Sequence, residues 1–213
     1  VEKTLNIRHG VRFNTYVEAW KEIPTRADTL FGESVVPLPQ WNDAFILNIG
    51  ADLRHYQKIH KDIIWANRFA FASSMGTSRM IYYLGGQSNP WFPGFNRNTP
   101  VNTDQNRYVF QTIATPLRGF QQNIRNGNSF AVFNSELRVP IVSTFSRSTV
   151  RSEFLRHLQL VAFVDVGTAW EGPNPFEDED EFDRTVQNSP QQPTAIARLD
   201  LYKRPIVAGY GVG

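Results

Sequence analysis

The chain has 213 residues, of which 41% are hydrophobic and 13% aromatic, a composition that excludes disorder and allows one large domain or two small ones. The net charge of +2 gives no basic excess of the kind that marks nucleic-acid binding, and the absence of cysteine excludes disulfides, thiol catalysis and thiolate metal sites. A mean hydropathy of -0.37 and the lack of any apolar run of about 18 residues argue against a membrane-spanning helix, but strands need apolar residues only at alternate positions.

The first half of the chain begins with an alternating pattern. Residues 5–20 carry mostly apolar side chains at odd positions and mostly polar ones at even positions. Residues 45–57 repeat this, with Leu47 and Leu53 on one side and Asp52 on the other. A period of two predicts long strands with one apolar and one polar face.

Further strands follow the same design. Residues 63–76 place large apolar side chains on one side, and small residues with Arg68 on the other. Residues 133–141 and 158–166 also alternate, and a last partial strand begins at about Val207. We count roughly seven strands, fewer than the about eight of the smallest closed barrel, and predict an all-β fold that is an incomplete portion of a transmembrane antiparallel β-barrel.

A soluble β-sandwich is the alternative, because its strands also alternate. Against it, the predicted strands exceed the about 5 to 6 residues usual in globular proteins. They reach the about 9 to 11 residues that a tilted strand needs to cross the hydrocarbon layer. Aromatic residues also collect near strand ends, as in the girdles of outer-membrane barrels, namely Tyr16, Trp20, Trp41, Trp65 and Trp170.

The connections between these strands alternate in length, which predicts short periplasmic turns and long extracellular loops. The short connections are 57–61 and 143–156, and the long ones are 21–42, 77–128 and 171–203. No start Met precedes Val1, and the last four residues resemble the beginning of a strand. We therefore expect residues 1–213 to be one partial barrel domain within a longer polypeptide.

The loop 77–128 is too long for a plain connection, since structureless loops beyond about 12 to 15 residues are usually functional or disordered. Its aromatic content, including Tyr82, Tyr83 and Phe110, predicts that it packs against something. It also carries the motif Arg118-Gly119-Phe120.

Four motifs in fixed order, "YYLGG", "LRGF", "FAVFNSELRVPI" and "LQLVAFVDVGTAW", resemble the C-terminal barrel of the BamA/TamA superfamily of outer-membrane assembly and secretion barrels, also called the bacterial surface antigen family. The resemblance covers roughly residues 43–213, and its most specific parts are 117–120 and 163–170. In that family a long extracellular loop folds into the lumen and the Arg of its Arg-Gly-Phe/Tyr motif contacts the inner wall. The resemblance thus implies a lumen-plugging loop here.

The implied loop-to-wall contact joins Arg118 to Asp165, whose strand also carries Phe163 and Gly167 on the predicted polar face. A guanidinium can satisfy such a carboxylate with paired charge-assisted hydrogen bonds. Glu136, on the neighbouring strand, is a second candidate acceptor.

Two other residues of the motif have expected roles. Gly119 is expected to let the backbone bend close to the wall, and Phe120 to wedge into the lumen. The alternative for the whole contact is that Arg118 is a solvated loop residue, while Asp165 pairs locally with Arg138.

The chain departs from the family by an insertion, residues 87–116, between the Gly-Gly and Arg-Gly-Phe elements. Its aromatic patch, Trp91, Phe92 and Phe95, is expected to cap the barrel, and binding of an external partner is the alternative.

The remaining sequence offers little chemistry. The acidic run 177–183 lacks the spacing and glycine of a Ca²⁺-binding hand and is expected to be a solvated loop. The four His residues are scattered, and neither a nucleophile elbow nor a phosphate loop occurs. We therefore predict no catalytic residues, metal or cofactor in this segment.

By resemblance, the expected function is insertion or translocation of proteins at the outer membrane of a Gram-negative bacterium, without nucleotide hydrolysis. The expected partners are outer-membrane lipid, unfolded outer-membrane or secreted proteins, and periplasmic or lipoprotein subunits. One alternative is a barrel that anchors or exports an N-terminal passenger, such as a patatin-like hydrolase or a β-propeller. A passive pore is the other.

Overall fold

The protein is described here by a computed structural model. It describes residues 9–21, 29–30, 33–34, 45–86, 94–99, 101, 108–145, 158–172, 174, 182–187, 196–201 and 205–213. The described elements, in chain order, are β1 (Gly10–Lys21), β2 (Thr29–Leu30), β3 (Glu33–Ser34), β4 (Phe45–His60), β5 (Ile63–Gly76), β6 (Arg79–Leu84), β7 (Tyr108–Ile113), β8 (Arg125–Gly127), β9 (Ser129–Pro140), α1 (Ile141–Phe145), β10 (Gln159–Trp170), β11 (Phe182–Gln187), β12 (Ile196–Leu201) and β13 (Val207–Val212).

The fold is all-β, as predicted, and its largest unit is an antiparallel sheet of six strands in the order β1-β4-β5-β9-β10-β13. The turn between β4 and β5 is Lys61 and Asp62, and the positive φ of Lys61, 47°, allows the chain to reverse there. β4 continues to His60, beyond the predicted end at residue 57. The three long connections leave the sheet at its opposite end, as the alternation in loop length predicts.

The sheet has two different faces, because residues directly opposite each other on paired strands point to the same side. One face carries Leu53, which pairs with Phe69, which in turn pairs with Phe133. The other carries Arg68 and, one strand further, Asn134, which pairs with Asp165. We call these the apolar face and the polar face. The predicted faces of β4, β5, β9 and β10 are confirmed.

Many large side chains of the apolar face are exposed, whereas the polar face is buried over much of β5, β9 and β10. Phe69 is 43% exposed, while its neighbour Ala70 on the polar face is 4% exposed. This reverses the pattern of a soluble sheet, in which the apolar face is covered. The exposed apolar residues of these strands include Val11, Phe13, Val17, Leu53, Trp65, Phe69, Met75, Phe133, Leu137, Leu160, Val164, Tyr210 and Val212.

The loop 77–128, called the long loop below, covers part of the polar face. It contains a second sheet in the order β7-β6-β8, in which β6 and β7 are parallel and β6 and β8 antiparallel. Tyr82, Leu84 and Leu117 of the long loop form one buried cluster with Ala72 and Val132 of the six-stranded sheet. The tyrosine ring packs edge-on against Phe130, with 5.1 Å between ring centroids. Burial of apolar surface therefore holds the long loop on the polar face.

The structure corrects two details. The large sheet has six described strands rather than roughly seven. The described strands β11 and β12 lie within the predicted connection 171–203 and pair with each other. The strand predicted through residue 141 ends at Pro140, where the five-residue helix α1 begins. Within the described ranges no helix is long and apolar enough to span a membrane.

The assignment of Tyr16 and Trp20 to an aromatic girdle is wrong. Both lie on the polar face of β1, where Tyr16 pairs with Gly50 and Trp20 packs against Phe110 of the long loop, 6.4 Å between ring centroids. Trp65 lies on the apolar face. Residues 5–8 and Trp41 lie outside the described residues.

Candidate functional site

The centre of the candidate site is the contact between the long loop and β10. Arg118 donates from Nε to Asp165 Oδ2 at 2.7 Å and from Nη2 to Asp165 Oδ1 at 2.6 Å, so the guanidinium grips both carboxylate oxygens. The Arg118 backbone N–H donates to the same carboxylate at 3.2 Å. Such a bidentate, charge-assisted pair fixes orientation as well as position. Asp165 is fully buried, so Arg118 is the cation that compensates its charge.

Glu136 of β9 joins this contact from the other side. Arg118 Nη1 donates to Glu136 Oε1 at 2.6 Å, while Arg138 donates from Nη2 to Glu136 Oε2, also at 2.6 Å. The structure therefore pairs Arg138 with Glu136 and not with Asp165, which was the alternative. Hydrogen bonding to Asp165 raises the pKa of Arg118, with burial acting in the opposite sense, so this side chain stays charged.

Phe163 completes the contact beneath the guanidinium. The Arg118 Cζ atom lies 3.9 Å from the centroid of the Phe163 ring, within the range of a cation–π interaction. On β13 the residue opposite Phe163 is Gly211, where an added Cβ would come within 2.7 Å of the ring. Any larger residue at position 211 would collide with the Phe163 ring, so glycine is required there.

Two of the predicted glycines act differently from expectation. Gly119 has a φ of +84°, which supports the predicted bend, but an added Cβ there would meet nothing within 4 Å. Its role is therefore the left-handed conformation and not a close approach. At Gly167 the atoms nearest to an added Cβ belong to apolar side chains and not to Arg118; the Cβ would lie 3.1 Å from Leu84 and 3.3 Å from Leu117. It makes room for the apolar cluster that flanks the contact.

Phe120 packs against the same apolar cluster, and its ring lies over Gly209 of β13. Gly209 was not predicted as a site residue. An added Cβ there would come within 2.7 Å of the Arg118 carbonyl oxygen and 3.0 Å of the Phe120 ring. In the sequence, the alternation of Gly209 and Gly211 on one face of β13, continued by Gly213 just after the strand, is the only indication of a close approach to that face.

Replacing Gly209 with alanine should shift the tip of the long loop, because the added methyl group meets a backbone oxygen that cannot rotate away. We expect a loss of about 1–3 kcal/mol in stability, the usual range for overpacking. Chemical denaturation monitored by tryptophan fluorescence would measure it. Gly213→Ala is the matched control, since a Cβ at Gly213 meets open space. Equal stabilities of the two variants would contradict the close approach.

A second ionic network, also absent from the prediction, lies on the polar face beside the first. Arg68 donates to Asp52 Oδ2 at 2.7 Å from Nη2 and to Thr115 Oγ1 at 2.7 Å from Nη1. Arg54 donates to Asp52 Oδ1 at 2.9 Å. Since Thr115 belongs to the long loop, Arg68 is a second polar link between that loop and the sheet.

The other predicted sites are only partly described. Trp91 and Phe92 of the aromatic patch lie outside the described residues, as do the side chains of the acidic run 177–183. Phe95 is 48% exposed, and its ring packs edge-on against Tyr83 with 5.6 Å between centroids. It therefore lies on the surface of the long loop.

No family model, curated protein or solved structure matches the chain. The family resemblance rests on the four motifs quoted above and stays a prediction. The hydrogen bonds of Arg118 do not depend on this resemblance, because they are defined by interatomic distances in the structure.

Proposed function

We propose that the chain is a portion of a transmembrane antiparallel β-barrel of the bacterial outer membrane, and that the whole protein inserts or translocates other proteins at that membrane. The observation that supports the proposal is the contrast between the two faces of the six-stranded sheet. The long loop covers the polar face and is held there by the ion pair of Arg118 with Asp165, whereas the apolar face is exposed.

The dimensions of the apolar face support the membrane assignment. On β5 its large apolar side chains extend from Trp65 to Met75, a length of about 34 Å at about 3.4 Å per residue. At a tilt of about 40° this length covers about 25 Å, the height of the lipid-facing band of outer-membrane barrels. A β-sandwich would cover such a face with a second sheet, whereas here the side chains are exposed in the described part.

The covered polar face supports an assembly or translocation role over a passive pore. A passive pore works through an open, water-filled lumen, whereas the long loop fills the space over Ala72 and Val132 and is held by ionic contacts. The role in protein insertion itself comes from the resemblance.

The test is reconstitution of the full-length protein in liposomes, with an unfolded outer-membrane protein as substrate. We expect faster folding of the substrate than in empty liposomes or in liposomes that contain an unrelated barrel of similar size. Protease protection and gel mobility of the substrate measure this rate. No acceleration, together with a high single-channel conductance, would favour the pore. No acceleration, with enzymatic activity in a domain before Val1, would favour the passenger anchor.

A further inference from the structure

Three arginines lie directly opposite one another on the polar face. The strand register pairs Arg12 with Arg54, and Arg54 with Arg68. Like charges in directly opposed positions destabilise a sheet unless anions compensate them. Asp52 compensates two of them, since it accepts hydrogen bonds from both Arg54 and Arg68. Arg12 makes no ion pair with any residue that the structure describes.

A cavity of about 330 Å³ adjoins this row, between the sheet and the long loop. This volume is at the lower end of the about 300–1,000 Å³ that small-molecule sites occupy. The loop contributes Pro116 and Arg118 to its wall. The charged groups that line it are four arginines and one carboxylate: Arg54, Arg68, Arg118, Arg138 and Glu136.

The carboxylates around the cavity are already engaged. Glu136 accepts hydrogen bonds from both Arg118 and Arg138, and Asp165 is held by Arg118. The four arginines of the cavity wall pair with three carboxylates, namely Asp52, Glu136 and Asp165. Arg12 does not line the cavity but lies directly opposite Arg54, and with it the excess in this region is two positive charges. The Arg138 Nη1 atom has no hydrogen-bond partner among the described residues.

We propose that this cavity binds a compact dianion of the phosphate class, supplied from water as inorganic phosphate or as the phosphate of a small monoester. A phosphate group carries about −1.5 to −2 charges at neutral pH, which matches the excess, whereas one carboxylate neutralises only half of it. Its oxygens also suit the planar fork of a guanidinium. A lipid headgroup is the other source of phosphate, but acyl chains belong on the apolar face and the cavity opens on the polar one.

The bound dianion lies between Arg54 of the sheet and Arg118 of the long loop, so it links the two. A ligand that binds the folded state alone stabilises that state, and the gain grows with the logarithm of the ligand concentration above the dissociation constant. Phosphate therefore strengthens the attachment of the long loop. This site does not depend on the proposed role in protein insertion.

The test uses the full-length protein in detergent, with inorganic phosphate as the probe and chloride at matched ionic strength as the reference. The double substitution Arg54→Gln and Arg138→Gln removes two positive charges from the cavity wall. The ion pairs of Asp52 with Arg68 and of Glu136 with Arg118 remain. The double variant is therefore expected to fold. Arg97→Gln is the matched control, because Arg97 is exposed and does not line the cavity.

We expect the unfolding temperature to keep rising with the logarithm of the phosphate concentration above the dissociation constant. Equilibrium dialysis with labelled phosphate should show saturable binding of one ion per chain. The double variant should need at least about tenfold more phosphate, whereas the Arg97→Gln variant should match the unmutated protein. Absence of saturable binding in the unmutated protein, or equal binding by the double variant, would overturn the proposal. Stabilisation by phosphatidic acid vesicles without binding of dissolved phosphate would overturn the assignment to a water-borne ligand.

Discussion

Replacing Arg118 with alanine should release the tip of the long loop and lower stability by about 3 kcal/mol, the lower end of what breaking a buried ion pair costs. The reason is the position of Asp165, which is fully buried and would keep its charge without its cation. The lower end applies because Arg118 is 23% exposed, so water replaces part of the lost interaction. Chemical denaturation measures the stability, and conductance in planar bilayers measures how far the polar face is opened.

A double-mutant cycle separates the ion pair from other effects of these substitutions. Asp165→Asn removes the charge but keeps the shape, so the Arg118→Ala/Asp165→Asn variant should be less destabilised than the sum of the single variants. Arg97→Ala, at an exposed loop position, is the control and should change stability by less than about 0.5 kcal/mol. Additive losses and an unchanged conductance would show that the contact does not hold the long loop.

The second large effect is expected on the apolar face. Phe69→Arg should destabilise the protein in lipid by about 2–4 kcal/mol, whereas Trp65→Arg, two rows nearer the short-turn end, should cost about 0–1 kcal/mol. The reason is depth, because a cation is least tolerated at the middle of the hydrocarbon layer. Both side chains are about equally exposed, 43% and 42%, so exposure alone predicts equal effects.

Denaturation in lipid vesicles, with the same variants compared in detergent, measures this difference. Asn14→Arg is the control, because Asn14 is exposed on the polar face and its substitution places the same charge in water. Equal losses for Phe69→Arg and Trp65→Arg, or no loss for either, would contradict a position of the apolar face within a membrane. In a soluble sheet packed on a second sheet, the loss of stability would depend on how tightly each side chain is packed and not on its position along the membrane normal.

The contacts of the site were partly foreseeable. The order of the motifs predicted the contact of Arg118 with Asp165, and the alternating pattern of β9 predicted that Glu136 lies on the polar face with Asp165. Gly209 was missed because a glycine has no side chain to mark it, and the strand that carries it begins almost eighty residues after the end of the long loop. The parallel pairing of β6 with β7 was also unforeseen, because β7 lies within the insertion 87–116, where no strand was predicted.

The sequence by itself determined the local geometry: the period of two, the apolar and polar faces of β4, β5, β9 and β10, and the alternation of short and long connections. The period of two and the two faces follow from nearest-neighbour stereochemistry, in which successive side chains point to opposite sides. The connection lengths follow from the spacing of the strands along the chain. The tertiary structure alone decided which residues meet across strands, such as Arg54 with Arg68, and where the long loop docks. Strand register and loop docking depend on contacts between distant segments, and a shift of a single residue would have put Asp165 on the opposite face from Arg118.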